Sequence, residues 1–273
     1  MGRIIVVSNR LPFTLTRDGE RWEFRESVGG LSMGLSAYLG SLGRESGAGS
    51  SYLWVGWPGC TVGAEDQEAI RERSLAEYNA VPVFLSEDEA EKFYQGFCNK
   101  TIWPLFHYFP ELTQYEPEYW QRYVEVNRAF CNALAGAIRP GDVVWVHDYH
   151  LMLLPKLLRE AVPGVSIGFF LHIPFPTYEL FRLLPAAWRN EILEGLLGAD
   201  LLGFHTYDYQ QYFLRCAHRI LGHPHQMGQL LVHDRIIRTG TFPMGIDFHK
   251  YHRAVRSPRS LVEQGDLRRS LTG

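Results

Sequence analysis

The sequence predicts an α/β fold, a Rossmann-like doubly wound parallel sheet. Three observations predict it: short continuous apolar runs recur along the chain, helical patterns separate them, and several runs end abruptly in polar or histidine-rich residues. A strand covered by helices on both faces reads as an unbroken apolar run. Strands that alternate with helices build parallel sheets.

Ile4-Ile5-Val6-Val7 is the first such run and suits a buried strand. Residues 12–25 roughly alternate about Asp18-Gly19, and Asp-Gly between alternating runs is a hairpin signal. Val28-Gly29-Gly30 follows, and then a helical stretch from Leu31 to about Leu42. Further apolar runs lie at Tyr52–Val55, Val81–Leu85, Val143–Val146, Ser166–Leu171, Asp200–Phe204 and Ile236–Thr241. Ser86-Glu87-Asp88-Glu89 reads as a capping box. From Pro117 to Ile138, apolar residues at Trp120, Tyr123, Val124, Phe130, Leu134 and Ile138 keep helical spacing, and Pro140-Gly141 stops it. Thr206 is placed to cap a helix running to about Leu221. After Ile246 the character changes. Residues 253–273 are rich in Arg and Ser and carry one weak helical pattern at most. The expected division is one domain over 1–250 and a linker over 251–273.

Composition excludes several classes of function. The 273 residues are 46% hydrophobic and 21% charged, as in an ordinary soluble globular protein. The net charge of −3 lacks the basic excess of a nucleic-acid binder. No apolar run reaches the roughly 20 residues that a membrane helix needs. The N-terminus enters a strand-like run without a signal-peptide pattern, and Cys60, Cys98, Cys131 and Cys216 show no metal or redox spacing. The expectation is a cytoplasmic protein with free thiols. Aromatic residues reach 14%; sugar stacking is one reading, but core packing is the simpler one.

In an open parallel sheet, ligands bind beyond the carboxyl ends of the strands. The first strand ends in Ser8-Asn9-Arg10. A guanidinium there can hold a phosphate bidentately, although an arginine at a loop start is ordinary by itself. Gly29-Gly30 ahead of a helix lets the backbone approach an anion, but many such pairs are only turns. The run Val143–Val146 ends in His147-Asp148-Tyr149-His150, which packing alone does not explain. Metal ligation is the rival reading. It ranks lower because no second cluster completes a site. The run Ser166–Leu171 leads into His172-Ile173-Pro174-Phe175-Pro176, where two prolines fix the loop past the histidine.

Together these segments resemble the trehalose-6-phosphate synthases. The matching stretches are VVSNRLP at 6–12, VGGL at 28–31, LWVGWPG at 53–59, FYQGFCNKTIWPLFHY at 93–108, VWVHDYHLMLLP at 144–155, IGFFLHIPFPTYELFRLLP at 167–185, DLLGFHTYDY at 200–209 and FPMGID at 242–247. They stand in family order over about 240 residues. The resemblance implies the N-terminal half of a two-domain GT-B glycosyltransferase, with the donor-binding domain beyond this sequence and residues 251–273 leading toward it. It implies a retaining transfer of glucose from UDP-glucose, or another nucleotide-glucose, to glucose-6-phosphate. The product is α,α-trehalose 6-phosphate. No metal and no cofactor beyond the nucleotide-sugar co-substrate are implied. The partners are those two small molecules, with no nucleic acid and no membrane, and homo-oligomerisation is left open.

By motif position, the resemblance puts Arg10 on the acceptor phosphate. Trp57, Tyr94 and Trp103 line the acceptor pocket, and Tyr94 offers a hydroxyl to the phosphate. Asp148 holds acceptor hydroxyls at the reacting centre. His172 binds the donor glucose near its 6-hydroxyl, and with Asp148 forms the catalytic pair. Gly30 gives a backbone N–H to the donor diphosphate, while Trp54 is read as packing. Two alternatives stay open: a glucosyltransferase with another phosphorylated acceptor, such as glycerol 3-phosphate, and a non-catalytic glucose-6-phosphate-binding module.

Overall fold

The computed structural model describes residues 2–19, 21–27, 35, 52–245 and 248–272. Gly30, and all of the helix expected from Leu31 to Leu42 except Leu35, lie outside the described residues. The described contacts divide the chain into two compact units, residues 1–242 and 243–273.

The strands of the larger unit begin with β1 (Ile4–Arg10), β2 (Phe13–Asp18), β3 (Arg21–Glu26), β4 (Tyr52–Trp57) and β5 (Ala80–Pro82). They continue with β6 (Val143–His147), β7 (Ser166–Phe170), β8 (Leu201–Phe204), β9 (His225–Gln226), β10 (Gln229–Val232) and β11 (Arg235–Thr241). Nine of them form one sheet in the order β5-β4-β1-β6-β7-β8-β11-β10-β9. The seven strands from β5 to β11 in that order pair in parallel. β9 and β10 add an antiparallel edge absent from the sequence expectation. Their two- and four-residue lengths leave too little pattern to detect. β2 and β3 form the expected hairpin, with Gly19 at φ +60°.

The strand order shows the double winding. From β1 the chain moves outward through β4 and β5, and then returns to lay β6 on the other side of β1 before moving on through β7 and β8. Successive residues of β1 and β4 therefore serve opposite faces. Ile5, Val7, Leu53 and Val55 enter the larger apolar cluster, whereas Val6 and Trp54 enter the smaller one. The order reverses between β1 and β6, and in such sheets the crevice beyond the carboxyl ends of the two strands at that point is the usual ligand position.

Helices cover the faces as the sequence predicts. Pro117–Ala137 starts with proline in its first turn and buries Trp120, Tyr123, Phe130 and Leu134. Ser86 accepts the Glu89 N–H and Glu89 accepts the Ser86 N–H, completing the capping box. Thr206 accepts from the Tyr209 N–H to open Tyr207–Leu221, and Gly222 closes that helix at φ +76°. A 13-residue π-helix, Ala90–Ile102, follows the capping box. Its buried Phe93, Phe97, Cys98 and Ile102 recur every four to five residues, the spacing of a helix bonded i to i+5.

The smaller unit holds two helices, Phe248–Ala254 and Pro258–Thr272. The sequence predicts one weak helical pattern there at most. Proline at the first position of a helix costs no hydrogen bond, so Pro258 starts the second helix without penalty.

Candidate active site

Three histidines mark three adjacent strand ends. His147 closes β6, His172 lies two residues beyond β7, and His205 immediately follows β8. The register pairs His147 with Phe170, and the Asp148 N–H then donates to the Phe170 carbonyl at 2.8 Å. Asp148 is the pivot of this edge. Its φ is +74°, a region that non-glycine side chains rarely occupy. Such strain persists only where the surroundings impose it. Here the loop beyond Asp148 is clamped from the helix Pro117–Ala137. The Tyr123 hydroxyl donates to the Tyr149 carbonyl at 2.8 Å and accepts from the Met152 N–H at 3.0 Å. The Asn127 amide donates to the His150 carbonyl at 3.2 Å.

The Asp148 carboxylate accepts the His172 N–H at 3.1 Å and is also held by the N–H groups of Tyr149 and Ile173. Burial raises its pKa to about 6, and the three backbone donors only partly offset that. The histidines shift the other way. Burial lowers His172 to about 4, with His205 beside it contributing, and lowers His150 to about 3, with Arg10 contributing. His147 lies well below its ordinary range and His205 is lowered too, both chiefly by burial. At neutral pH these rings are uncharged hydrogen-bonding groups.

Across the switch point stands a cationic counterpart. The register pairs Arg10 with Trp57, and the guanidinium lies 4.3 Å over the Trp57 ring and 5.5 Å from the Tyr94 ring. Trp57 is fixed by its indole N–H, which donates to the Cys60 carbonyl at 3.1 Å. Tyr94 stacks on His150 at 5.7 Å, and His150 on Tyr149 at 4.0 Å. Gly59, at φ +92°, makes room for the arginine: a Cβ built there would overlap Arg10 Nη1. Three buried polar atoms at this edge have no hydrogen-bond partner among the described residues: Asn9 Oδ1, His147 Nε2 and His150 Nδ1.

The fold thus brings Arg10, Trp57 and Tyr94 into one group, which His150 joins through Tyr94, and Asp148 and His172 into another. Trp103 is exposed at the end of the π-helix and stacks on His107 at 4.1 Å. Trp54 is buried, and its indole N–H donates to Ser8 Oγ at 2.8 Å, as its reading as a packing residue expects. Sequence reasoning did not single out Gly59, Tyr123, Asn127 or His205. Gly59 and His205 lie inside the quoted motifs and were within reach; Tyr123 and Asn127 look like ordinary helix residues until the loop they clamp is seen. Among the described residues, no group of three or more His, Cys, Asp or Glu is arranged for a metal ion.

The sequence matches the glycosyltransferase family 20 model over residues 2–272. The chain belongs to glycosyltransferase family 20. A bifunctional trehalose-6-phosphate synthase/phosphatase of Thermoproteus tenax is 49% identical over 271 residues, which are 98% of this chain and 36% of that protein. Two solved structures share the fold at 31% identity. One is a trehalose-6-phosphate synthase, OtsA, with a TM-score of 0.77 over 98% of this chain and 55% of that one. The other, from E. coli and bound with UDP-2-fluoro glucose, has a TM-score of 0.75 over 96% and 54%. This family-20 chain therefore spans between about a third and about half of the length of these relatives. Among its described residues no helix is long and apolar enough to cross a membrane.

Proposed function

We propose that this chain carries the acceptor-binding half of a retaining glucosyltransferase that makes α,α-trehalose 6-phosphate from UDP-glucose and glucose-6-phosphate. The observation that carries the reading is the switch-point crevice, which sets a braced guanidinium, Arg10, on the β1 side and a carboxylate, Asp148, on the β6 side. Arg10 takes the phosphate, because a planar fork of donors matches phosphate oxygens. Its position between the Trp57 and Tyr94 rings leaves little rotamer freedom to lose on binding. Asp148, ionised above about pH 6, accepts hydrogen bonds from the acceptor hydroxyls. His172 faces the hexose of the donor.

In a retaining transfer that uses no protein nucleophile, the acceptor oxygen attacks the face that the diphosphate leaves. The glucose C1–O bond to the diphosphate breaks as the bond to the acceptor oxygen forms. The departing phosphate oxygen takes the acceptor proton. The protein supplies position and charge stabilisation rather than a nucleophile. This scheme uses no metal ion, and His147 and His150 turn toward different neighbours, His172 and Tyr94.

The test is UDP release from UDP-glucose and glucose-6-phosphate with EDTA present, on the 273 residues and on a longer chain that contains them. The longer chain is expected to turn over at roughly 1–100 per second. A polypeptide of these 273 residues alone is expected to bind acceptor without sustained turnover, because the relatives are about twice as long or longer. Full loss of activity with EDTA, or release with glycerol 3-phosphate in place of glucose-6-phosphate, contradicts the reading. Gly59→Ala is a second check, since it pushes Arg10 from its seat without removing it. Glucose-6-phosphate affinity by calorimetry should fall about tenfold. Unchanged affinity would show that the Arg10 position is immaterial.

A further inference from the structure

His147 and His172 stand at the ends of neighbouring strands, with His147 Nδ1 and His172 Nε2 3.0 Å apart. At that distance the two nitrogens share one proton: two N–H groups would collide, and two lone pairs would repel. The far side of His147 decides which ring owns it. That ring is fully buried, lies 4.4 Å from the Trp145 ring, and its Nε2 has no hydrogen-bond partner among the described residues. A neutral imidazole carries one N–H. On Nε2 it would be a buried, unpaired donor, the rarest kind of buried polar group. On Nδ1 it donates to His172 and leaves only a lone pair in apolar surroundings. His172 Nε2 is then an acceptor, so the proton of His172 must lie on Nδ1. No hydrogen bond among the described residues engages that nitrogen. Burial keeps both rings neutral at pH 7.

We propose that His147 is a positioning residue that fixes the tautomer of His172, so that His172 offers an Nδ1–H donor to an oxygen of the nucleotide-bound hexose. The second half rests on the assignment of His172 to the donor sugar; the tautomer does not. A hydroxyl can act as donor or acceptor, and the fixed tautomer makes it an acceptor here. The site then rejects a sugar that lacks an oxygen at this point, because a buried N–H would be left unpaired.

Two measurements separate the halves. Histidine ring 15N spectra of the protein without ligand should show His172 protonated on Nδ1. In His147→Leu this preference should disappear, and in His147→Asn, whose amide nitrogen replaces Nδ1, it should return. His172 protonated on Nε2 in the unmutated protein overturns the tautomer assignment, even if both variants fail to fold. An unchanged His172 tautomer in folded His147→Leu overturns the role of His147. Kinetics on the longer chain test the ligand. His147→Leu should raise KM for UDP-glucose about tenfold, leave KM for glucose-6-phosphate unchanged, and be rescued by His147→Asn. A lost tautomer with an unchanged donor KM overturns the hexose contact. If the protein transfers no glucose at all, the proposed function fails while the spectra still decide the tautomer.

Discussion

Lowering the pH from 7.5 to 4 should cost the protein about 4 kcal/mol of folding stability, most of it from the buried histidines of the crevice. An unfolded histidine takes up a proton near pH 6.5. The folded protein refuses it until about pH 4 at His172 and about pH 3 at His150. Below pH 6.5 the unfolded state therefore binds more protons, and stability falls with pH. By pH 4 each of the two histidines contributes a loss of about 3 kcal/mol. Asp148 opposes them. Its carboxyl takes up a proton near pH 6 when folded but only near 3.8 when unfolded, which returns about 2.5 kcal/mol over the same interval. Urea unfolding at pH 7.5, 6, 5 and 4 measures the sum. A flat profile between pH 6.5 and 4.5 would mean that His150 and His172 are not buried as neutral rings.

Asp148→Asn should stabilise the protein at pH 8 by up to about 3 kcal/mol and abolish the proposed transfer by the longer chain. Above pH 6 the folded state carries an ionised carboxylate that burial disfavours. The raised pKa means that this cost is fully present above about pH 6 and vanishes as pH falls through 3.8. An amide keeps an oxygen for the His172 N–H without the charge. The gain should therefore shrink toward zero at pH 4. A group that destabilises its own fold and is held at positive φ matches a residue kept for function. Denaturant curves at pH 8 and 4 check the difference. A variant destabilised at pH 8 but not at pH 4 would show instead that the charge is needed for folding.

Much of the architecture was legible because its signals are local. Asp18-Gly19 announces the hairpin, Ser86 and Glu89 the capping box, and Thr206 a helix start. The continuous runs Ile4–Val7 and Val143–Val146 announce buried parallel strands. The antiparallel edge was not legible, because His225-Gln226 and Gln229–Val232 are shorter than any pattern. The π-helix was missed for another reason: Phe93, Phe97, Cys98 and Ile102 follow a period that neither helix nor strand templates contain. What was legible of the candidate site was the placing of Arg10, Asp148 and His172 at strand ends. What the residues could not disclose was their company. That Arg10 sits on Trp57 follows from the register of β1 on β4, and that His150 stacks on Tyr94 follows from packing the π-helix against the loop after β6. Both pairings join distant parts of the chain, so no window of sequence contains them.

The proposed acceptor turns on Arg10 holding a phosphate. Calorimetric titration of glucose-6-phosphate and of glucose into the protein and its Arg10→Ala variant tests this most directly. Losing a charge-assisted contact to phosphate should cost glucose-6-phosphate about 2 kcal/mol, a fall of roughly thirtyfold in affinity. Glucose, which has no phosphate, should bind the variant about as well as the unmutated protein. Equal losses for both sugars would show that Arg10 supports the crevice without facing the phosphate, and the acceptor would have to be held in some other way.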